Sequence, residues 1–446
     1  MFWNWLGFGT IVLLAFGAPS LSMVNSRRRL KEWREIAERC HLTVVKTSSL
    51  PMFPRLTARS GPVEMRILNQ KTDIRVVATV EGPPDLSAFS LRRELILLPK
   101  GREIETGDKK FDDTFVIKGP RAFVCALLDL QVRRMLMQAK AEGLLEISDG
   151  ELRFDGQETK LAHILGLFRD LGRCFADKQE LPRRLLENVR RDPRPGVRLQ
   201  NLLVLIREYP GDPNTTRALH VGAKDSDVEI RLRAAQELGA EGRGVLQELA
   251  AGLRDDAVSA QAVAALGSAL PLERLRSVLG GARKKGKFET ARACLEALAH
   301  LGGAAVATLA EVTANESFEL AVTAARGLGA IGDPAAEPPL LAALARDNPE
   351  LQEAAAAALG RVGSAAAVLP LQEAAEHSGA LRRAARRSIS EIQARLDDAL
   401  PGQLSLAATE GGQLSLADEA GQLSLAPHPT GGRLPLPPER TGKSSS

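Results

Sequence analysis

Seven apolar residues in the second half of this chain stand in one register: Leu205, Leu238, Leu266, Leu298, Leu328, Leu359 and Ile389. They are separated by 33, 28, 32, 30, 31 and 30 residues. Around them the text repeats as Ile230-Arg231-x-x-Ala234-Ala235-x-x-Leu238-Gly239, or as an alanine run from Ala354 to Leu359 and Gly360. A period near thirty, with Ala and Leu at helical spacing, means supersecondary units that cannot each bury an apolar face alone and must stack. The expected architecture is an α-solenoid, which presents a binding surface by default. Aromatics support it by their scarcity, 4% of the chain, with Tyr209 the only tyrosine. Helices spaced by alanine pack closely and need few rings.

Two further coincidences fit this register. Pro339 and Pro370 each lie eleven residues after their anchors, Leu328 and Leu359. Proline is tolerated in a helix's first turn, where its missing N–H costs nothing, so both are expected to open the second helix of their units. Phe288 and Phe318 lie thirty apart, each before a glutamate. Two enzyme-like strings also arise. Gly327-Leu328-Gly329-Ala330-Ile331-Gly332 satisfies GxGxxG but ends a helix, whereas a dinucleotide fingerprint follows a strand and opens a helix. Gly281-Ala282-Arg283-Lys284-Lys285-Gly286-Lys287 imitates a P-loop but puts Phe288 in the place of the magnesium-binding hydroxyl. Both are read as helix ends and inter-repeat loop.

The repeat block resembles bacterial HEAT repeats, including the HEAT-like kind of phycobilisome lyases. The likeness runs from about Leu181 to Leu396 and is fullest at Asp227, Ile230, Arg231, Ala234, Ala235, Leu238 and Gly239. Later units keep the Ala/Leu frame and lose the arginine, with Ala321 and Gln352 in its place. That puts a regular electrostatic ladder in doubt, though not the fold. The resemblance implies a scaffold that binds proteins along its surface. It also carries alternatives: lyase-like or accessory action on a bound cofactor, for which adducts at Cys294 would speak, and nucleic-acid binding as in HEAT-like DNA glycosylases. The basic clusters at Arg183-Arg184, Arg190 to Arg194, Arg283-Lys284-Lys285 and Arg382 to Arg387 are read as solvated faces, with anionic lipid or acidic protein as the next candidates.

The first residues point to a membrane. No charge occurs from Phe2 to Val24, and Arg27, Arg28, Arg29, Lys31 and Arg34 follow. A helix of that length spans about 34 Å, enough for a hydrocarbon core. The positive-inside rule places the N-terminus outside and the rest in the cytoplasm. Residues 1–24 are therefore expected to be a single-pass inner-membrane anchor, a cleaved signal or a start at Met23 being the competing readings.

Residues 25–180 read as a small α+β domain. A charged helix from Arg28 to Cys40 precedes strand-like text at Leu42–Val45, Val63–Ile67, Ile74–Val80 and Glu94–Leu98. Val116-Ile117 continues as a strand, and an apolar helix is expected from Arg121 to about Ala139. Leu144–Ile147 and Leu152–Phe154 flank Ser148-Asp149-Gly150, a hairpin turn in which Asp-Gly supplies positive φ. A helix from Leu161 to Phe175 closes the unit. The run Gly107-Asp108…Phe111-Asp112…Phe115-Val116-Ile117-Lys118-Gly119 resembles a Gly-Asp-x-x-Phe-Asp-x-x-Phe-x-Val-x-Gly motif of a bacterial module found behind N-terminal membrane helices. That resemblance implies no activity. Asp108, Asp112 and Asp113 are expected to cap turns rather than to hold a cation, because Lys109, Lys110 and Lys118 crowd them.

Residues 181–399 are thus assigned to the repeats and 400–446 to a disordered tail. In the tail Gly402 to Ala407 recurs as Gly412 to Ala417 and Gly421 to Ala426, with a worn copy from Gly432. Short copies on a flexible linker can act as docking peptides, and Leu-x-Leu can also add as a strand to a sheet edge. Gln-Leu-Ser-Leu also resembles the peptide that docks on the bacterial sliding clamp, with alanine where that peptide has its pocket anchor. The cysteines Cys40, Cys125, Cys174 and Cys294 form no CxxC and read as buried thiols, and the six histidines are dispersed. A net charge of +4 is too small to argue for nucleic acid. The expectation for function is a membrane-anchored, non-catalytic scaffold with no catalytic, cofactor or metal residues. Its partners would be proteins on the repeats and on the tail, and the membrane through residues 1–24.

Overall fold

The computed structural model describes residues 24–48, 54–70, 73–93, 103–316, 318–376 and 379–396, with three short stretches of the tail, 404–406, 414–417 and 423–424. The chain divides into two compact units, Met1–Val245 and Leu246–Ser446.

The first unit begins with helix α1, residues 24–39, and an antiparallel sheet. Its strands are β1 Thr43–Ser48, β2 Arg55–Ser60, β3 Val63–Gln70, β4 Asp73–Val80, β5 Ser90–Arg93, β6 Phe115–Lys118, β7 Gly143–Ser148 and β8 Glu151–Gly156, in the order β1-β2-β3-β4-β8-β7-β5-β6. Alternation sets its two faces. Val63, Met65 and Ile67 of β3, Ile74, Val76 and Ala78 of β4, and Leu152 and Phe154 of β8 are all buried. Their neighbours point the other way and pair as Arg66–Glu151 at 2.8 Å and Arg75–Asp155 at 2.7 Å. Leu30, Trp33 and Ala37 of α1 join the apolar core. So does α6, Leu161–Ala176. A β-carbon on Gly172 would lie 2.2 Å from Val63 Cγ2, so glycine there lets α6 rest directly on β3.

The β7–β8 hairpin forms as expected, with Asp149 at φ 54° and Gly150 at φ 74°. Two other points differ from the sequence reading. Strand β2 carries little strand signal, because Arg-Leu-Thr-Ala-Arg-Ser is mostly polar, yet its alternation buries Leu56 and Ala58. The single helix expected from Arg121 is two, α4 Arg121–Leu127 and α5 Leu130–Glu142, because Asp129 turns the chain and accepts a hydrogen bond from the Val132 amide. Glu94–Leu98 lies outside the described residues, as does the expected anchor up to Met23. Among the described residues no helix is long and apolar enough to cross a membrane.

Short helices α2 Asp85–Ala88 and α3 Lys109–Asp112 complete the α+β part. The first unit then continues as helix pairs, α7 Leu181–Arg191 with α8 Pro195–Glu208 and α9 Pro213–Gly222 with α10 Val228–Glu237. Helix starts are written locally: Asp212 accepts from the Asn214 amide, and Asp227 accepts from those of Glu229 and Ile230.

Helix α11, Arg243–Gly252, reaches the second unit, where α12 Asp256–Leu266, α13 Leu272–Lys285, α14 Phe288–Ala299, α15 Val306–Asn315, α16 Phe318–Ile331, α17 Glu337–Leu344, α18 Pro349–Val362, α19 Val368–Ala374 and α20 Gly379–Leu396 follow. Helices α12, α14, α16, α18 and α20 pack one on the next, and α13, α15, α17 and α19 each lie against the helix that follows. Pro339 and Pro370 stand in the first turns of α17 and α19, as their positions require. The GxGxxG string closes α16, with Gly332 beyond it at φ 73°. A β-carbon on Gly329 would lie 2.6 Å from Ala358 Cβ, so close packing accounts for it. The P-loop-like string is helix to Lys285 rather than loop, and only Gly286, at φ 65°, turns the chain.

Of the seven anchors, Leu205, Leu266, Leu298, Leu328 and Leu359 are buried. Leu238 and Ile389 are half-buried. In α20 the inward stripe is instead Leu381, Ala385, Ser388 and Ile392, because no described helix pair follows to cover Ile389. The tail also departs from expectation. Its copies pair antiparallel with each other, β9 Leu404–Leu406 with β10 Leu414–Ala417 and β10 with β11 Leu423–Ser424. The rest of the tail lies outside the described residues.

Candidate functional site

The Gly107–Gly119 motif faces the first helix pair. Asp112 behaves as a turn-capping carboxylate. Its oxygens accept from the Thr106 amide at 3.0 Å, the Thr106 hydroxyl at 2.7 Å and the Gly107 amide at 3.0 Å. Burial pushes its carboxyl above the usual range, and these bonds offset the rise only in part. Phe111 and Phe115 are buried with ring centroids 5.0 Å apart. Gly107, at φ 89°, meets Gly196 at the start of α8. A β-carbon on Gly107 would lie 2.3 Å from the Gly196 carbonyl, and one on Gly196 would lie 2.4 Å from the Gly107 oxygen. The motif's first glycine is therefore a point where two backbones touch.

Beside that contact Arg133 is enclosed, 2% exposed. Its guanidinium donates to Asp192 Oδ2 at 2.9 Å, to the Leu128 carbonyl at 2.7 Å and to Asp108 Oδ2 at 3.3 Å. Asp192, 1% exposed, also accepts from the Arg194 amide at 2.9 Å and so shapes the α7–α8 turn. Arg198 donates to the Asp192 carbonyl at 3.0 Å and holds Asp225 in a two-pronged pair at 2.8 and 2.6 Å. Nearby, Asn188 donates to the Cys125 carbonyl at 3.0 Å and to Asn201 Oδ1 at 3.2 Å. Ala122, Cys125 and Ala126 of α4 share an apolar cluster with Leu185, Leu186 and Val189 of α7. The α+β part and the first helix pair are thus joined by apolar packing around a buried charge network. Three open hollows adjoin it, and all are lined from both sides of this junction.

In the second unit, successive repeats are tied by donors aimed at helix ends. Arg361 Nε donates to the Gly329 carbonyl at 2.9 Å, and Arg346 to that of Thr313 at 2.6 Å. Arg395 reaches both Gly360 and, at 2.8 Å, Gly363. Each arginine satisfies carbonyls that a helix leaves unpaired, and sits at the negative end of its dipole. Asp256 of α12 does the reverse. It accepts from the Glu289 and Thr290 amides at 3.1 and 2.9 Å and so caps the N-terminus of α14 from the preceding repeat.

The exposed side of these helices carries charge in register: Glu289, Arg292 and Glu296 on α14, Glu319 and Arg326 on α16, and Glu350 and Glu353 on α18. Helix α20 exposes Arg382, Arg383, Arg386 and Arg387. Within the Arg283-Lys284-Lys285 cluster, the Arg283 guanidinium is already engaged by Glu311 and Glu316. Cys294 is fully buried and burial pushes its thiol up to about 12, while that of Cys125 reaches about 11. Cys40 and Cys174 are only half-buried, short of the burial expected of all four. Among the described residues no group of three His, Cys, Asp or Glu side chains is arranged to hold a metal.

These features define a mainly helical repeat protein with an α+β part at its front. Residues 306–390, spanning α15 to most of α20, match the family model for HEAT repeats. The chain is also similar to the solved structure of human deoxyhypusine hydroxylase in complex with glycerol. The identity is 20% over 48% of this chain and 96% of that one, with a TM-score of 0.22. A superposition that loose transfers no property of the hydroxylase. No curated protein matches the chain.

Proposed function

We propose that the protein is a non-catalytic scaffold, tethered to the inner membrane through residues 1–24, whose repeats lie in the cytoplasm and dock partner proteins. The observation that carries this reading is the set of exposed, charged helix faces in register on α14, α16, α18 and α20. Such a surface offers a partner several contacts spaced by one repeat. The HEAT-repeat match over residues 306–390 favours the same reading. The lyase-like alternative would need Cys294 as its nucleophile, and that thiol is fully enclosed and pushed up by burial.

The test is proximity labelling in the native host with the full chain, with Arg382, Arg383, Arg386 and Arg387 all changed to Glu, and with a chain ending at Leu400. The scaffold reading expects specific neighbours to vanish with the charge reversal. An unchanged set of neighbours in both variants would remove it. A reporter fused after Ser446 tests the orientation separately, and activity confined to the periplasm would refute the cytoplasmic placement.

A further inference from the structure

We propose that the hollow between α5, the Asp108–Phe111 turn and the α7–α8 turn is a binding site for a small molecule bearing a phosphoryl group and an apolar part. The hollow measures about 460 Å³, and Asp108, Lys110, Leu130, Arg134, Met137 and Arg194 are among the residues that line it. That size suits a small ligand.

Its charge is out of balance. Lys110, Arg134 and Arg194 are exposed, and among the described residues none of these side chains has a carboxylate partner. They come from three different segments and meet around one hollow. The single carboxylate in the wall, Asp108, is engaged by Arg133, whose charge is further answered by Asp192. Three cations therefore face the same space, against the one net negative charge that Asp108 and Asp192 leave around Arg133. In a concave site with low-dielectric walls their fields add, and an anion there gains what the protein does not supply.

The two adjoining hollows share these cations but set more carboxylates beside them. One contains Asp129, Glu187 and Asp192 beside Arg134 and Arg191; the other contains Asp108 and Asp113 beside Lys109, Lys110 and Arg194. Two arginines and a lysine suit a phosphoryl group, since planar guanidinium forks match its oxygens. Leu130 and Met137, both half-buried, supply an apolar wall, so the ligand is more than an inorganic anion. The Asp108–Arg133–Asp192 network fixes the two walls, which gives the site a rigid back.

The full chain in neutral nanodiscs is titrated with hexyl phosphate, inorganic phosphate and hexanol, following binding by calorimetry. Hexyl phosphate should bind best, phosphate more weakly and hexanol not at all. Arg134→Ala and Arg194→Ala should each weaken hexyl phosphate by about tenfold, the size of one lost hydrogen bond to a charged group. Arg382→Ala, in the second unit, should leave it unchanged. Loss of binding in Arg134→Ala with unaltered thermal unfolding identifies the site rather than a folding defect. Adding phosphatidic acid to the nanodiscs distinguishes the source. Competition with hexyl phosphate assigns a lipid headgroup, and its absence assigns a soluble phosphate ester. Binding that is equal in wild type and both arginine variants, or equal for hexanol and hexyl phosphate, overturns the proposal.

Discussion

Removing the Arg133 guanidinium by Arg133→Met should be the most damaging single change at the junction. The side chain is 2% exposed and its main partner, Asp192, 1% exposed. Methionine keeps most of the volume and none of the donors. Asp192 then retains only the Arg194 amide on Oδ1, and its Oδ2 is stranded as a buried charge. Breaking a buried pair from one side costs about 3–5 kcal/mol, whereas removing both charges costs far less. Asp192→Asn keeps the acceptor for Arg194 and discards the charge, so Arg133→Met/Asp192→Asn should recover about half the loss. Native-state hydrogen exchange, read by segment, suits this because it reports local opening rather than the melting of a two-unit chain. Protection of α5 and α7 should fall by roughly two to three and a half orders of magnitude in Arg133→Met. A fall of less than tenfold, or a double variant as weak as the single, would refute the account of Arg133 as the electrostatic centre of the junction.

Three further outcomes follow from particular contacts. Gly196→Ala puts a β-carbon 2.4 Å from the Gly107 oxygen, a clash with backbone that cannot rotate away. It should cost about 1–3 kcal/mol and loosen exchange in α8 ahead of α6. Leu328→Asp or Leu359→Asp buries an unpaired carboxylate at a fully enclosed position and should lower the melting of the second unit by several kcal/mol, roughly; an unchanged melting curve would discard the register. Burial alone would raise the Asp225 carboxyl, but hydrogen bonds and charge from Arg198, with the Asp227 amide and Ser226, outweigh it and hold it below the usual range. Its contribution is complete above about pH 3.9 and is lost as pH falls through the lower folded value. Asp225→Asn should therefore flatten the acid limb of a stability–pH profile and leave its shape above pH 5 unaltered.

The repeats were legible because a thirty-residue period survives poor local conservation of side chains. Leu328 and Leu359 need only be apolar for the pattern to be seen. The β7–β8 hairpin was legible because Asp149-Gly150 encodes its own turn. Strand β2 was not, since Leu56 and Ala58 are too few apolar residues to mark a strand among Arg, Thr and Ser. The junction was opaque for a different reason. Arg133 and Arg134 are adjacent, and nothing local says that the first is enclosed and the second exposed. Arg133 shares its helix with buried Val132 and Leu136, but its partners lie 25 and 59 residues away. The motif did hold a trace of the site. Gly107-Asp108 reads as a turn, yet its glycine is required by Gly196 and its aspartate by Arg133.

The junction also gives the small hollow a consequence for the repeats. Lys110 and Arg134 belong to the α+β part, while Pro193 and Arg194 belong to the turn between α7 and α8. A ligand touching both adds its binding energy only when the two are docked, so occupancy stabilises the docked state by mass action. The Arg133 network holds that state without ligand, because both carboxylates already answer its charge. A bound phosphoryl group would then act on the three remaining cations, whose mutual repulsion opposes docking. Arg134→Ala should for that reason slow exchange in α7 slightly when no ligand is present, and should abolish any further slowing when hexyl phosphate is added. Faster exchange in the ligand-free variant would mean that Arg134 holds the junction together rather than straining it.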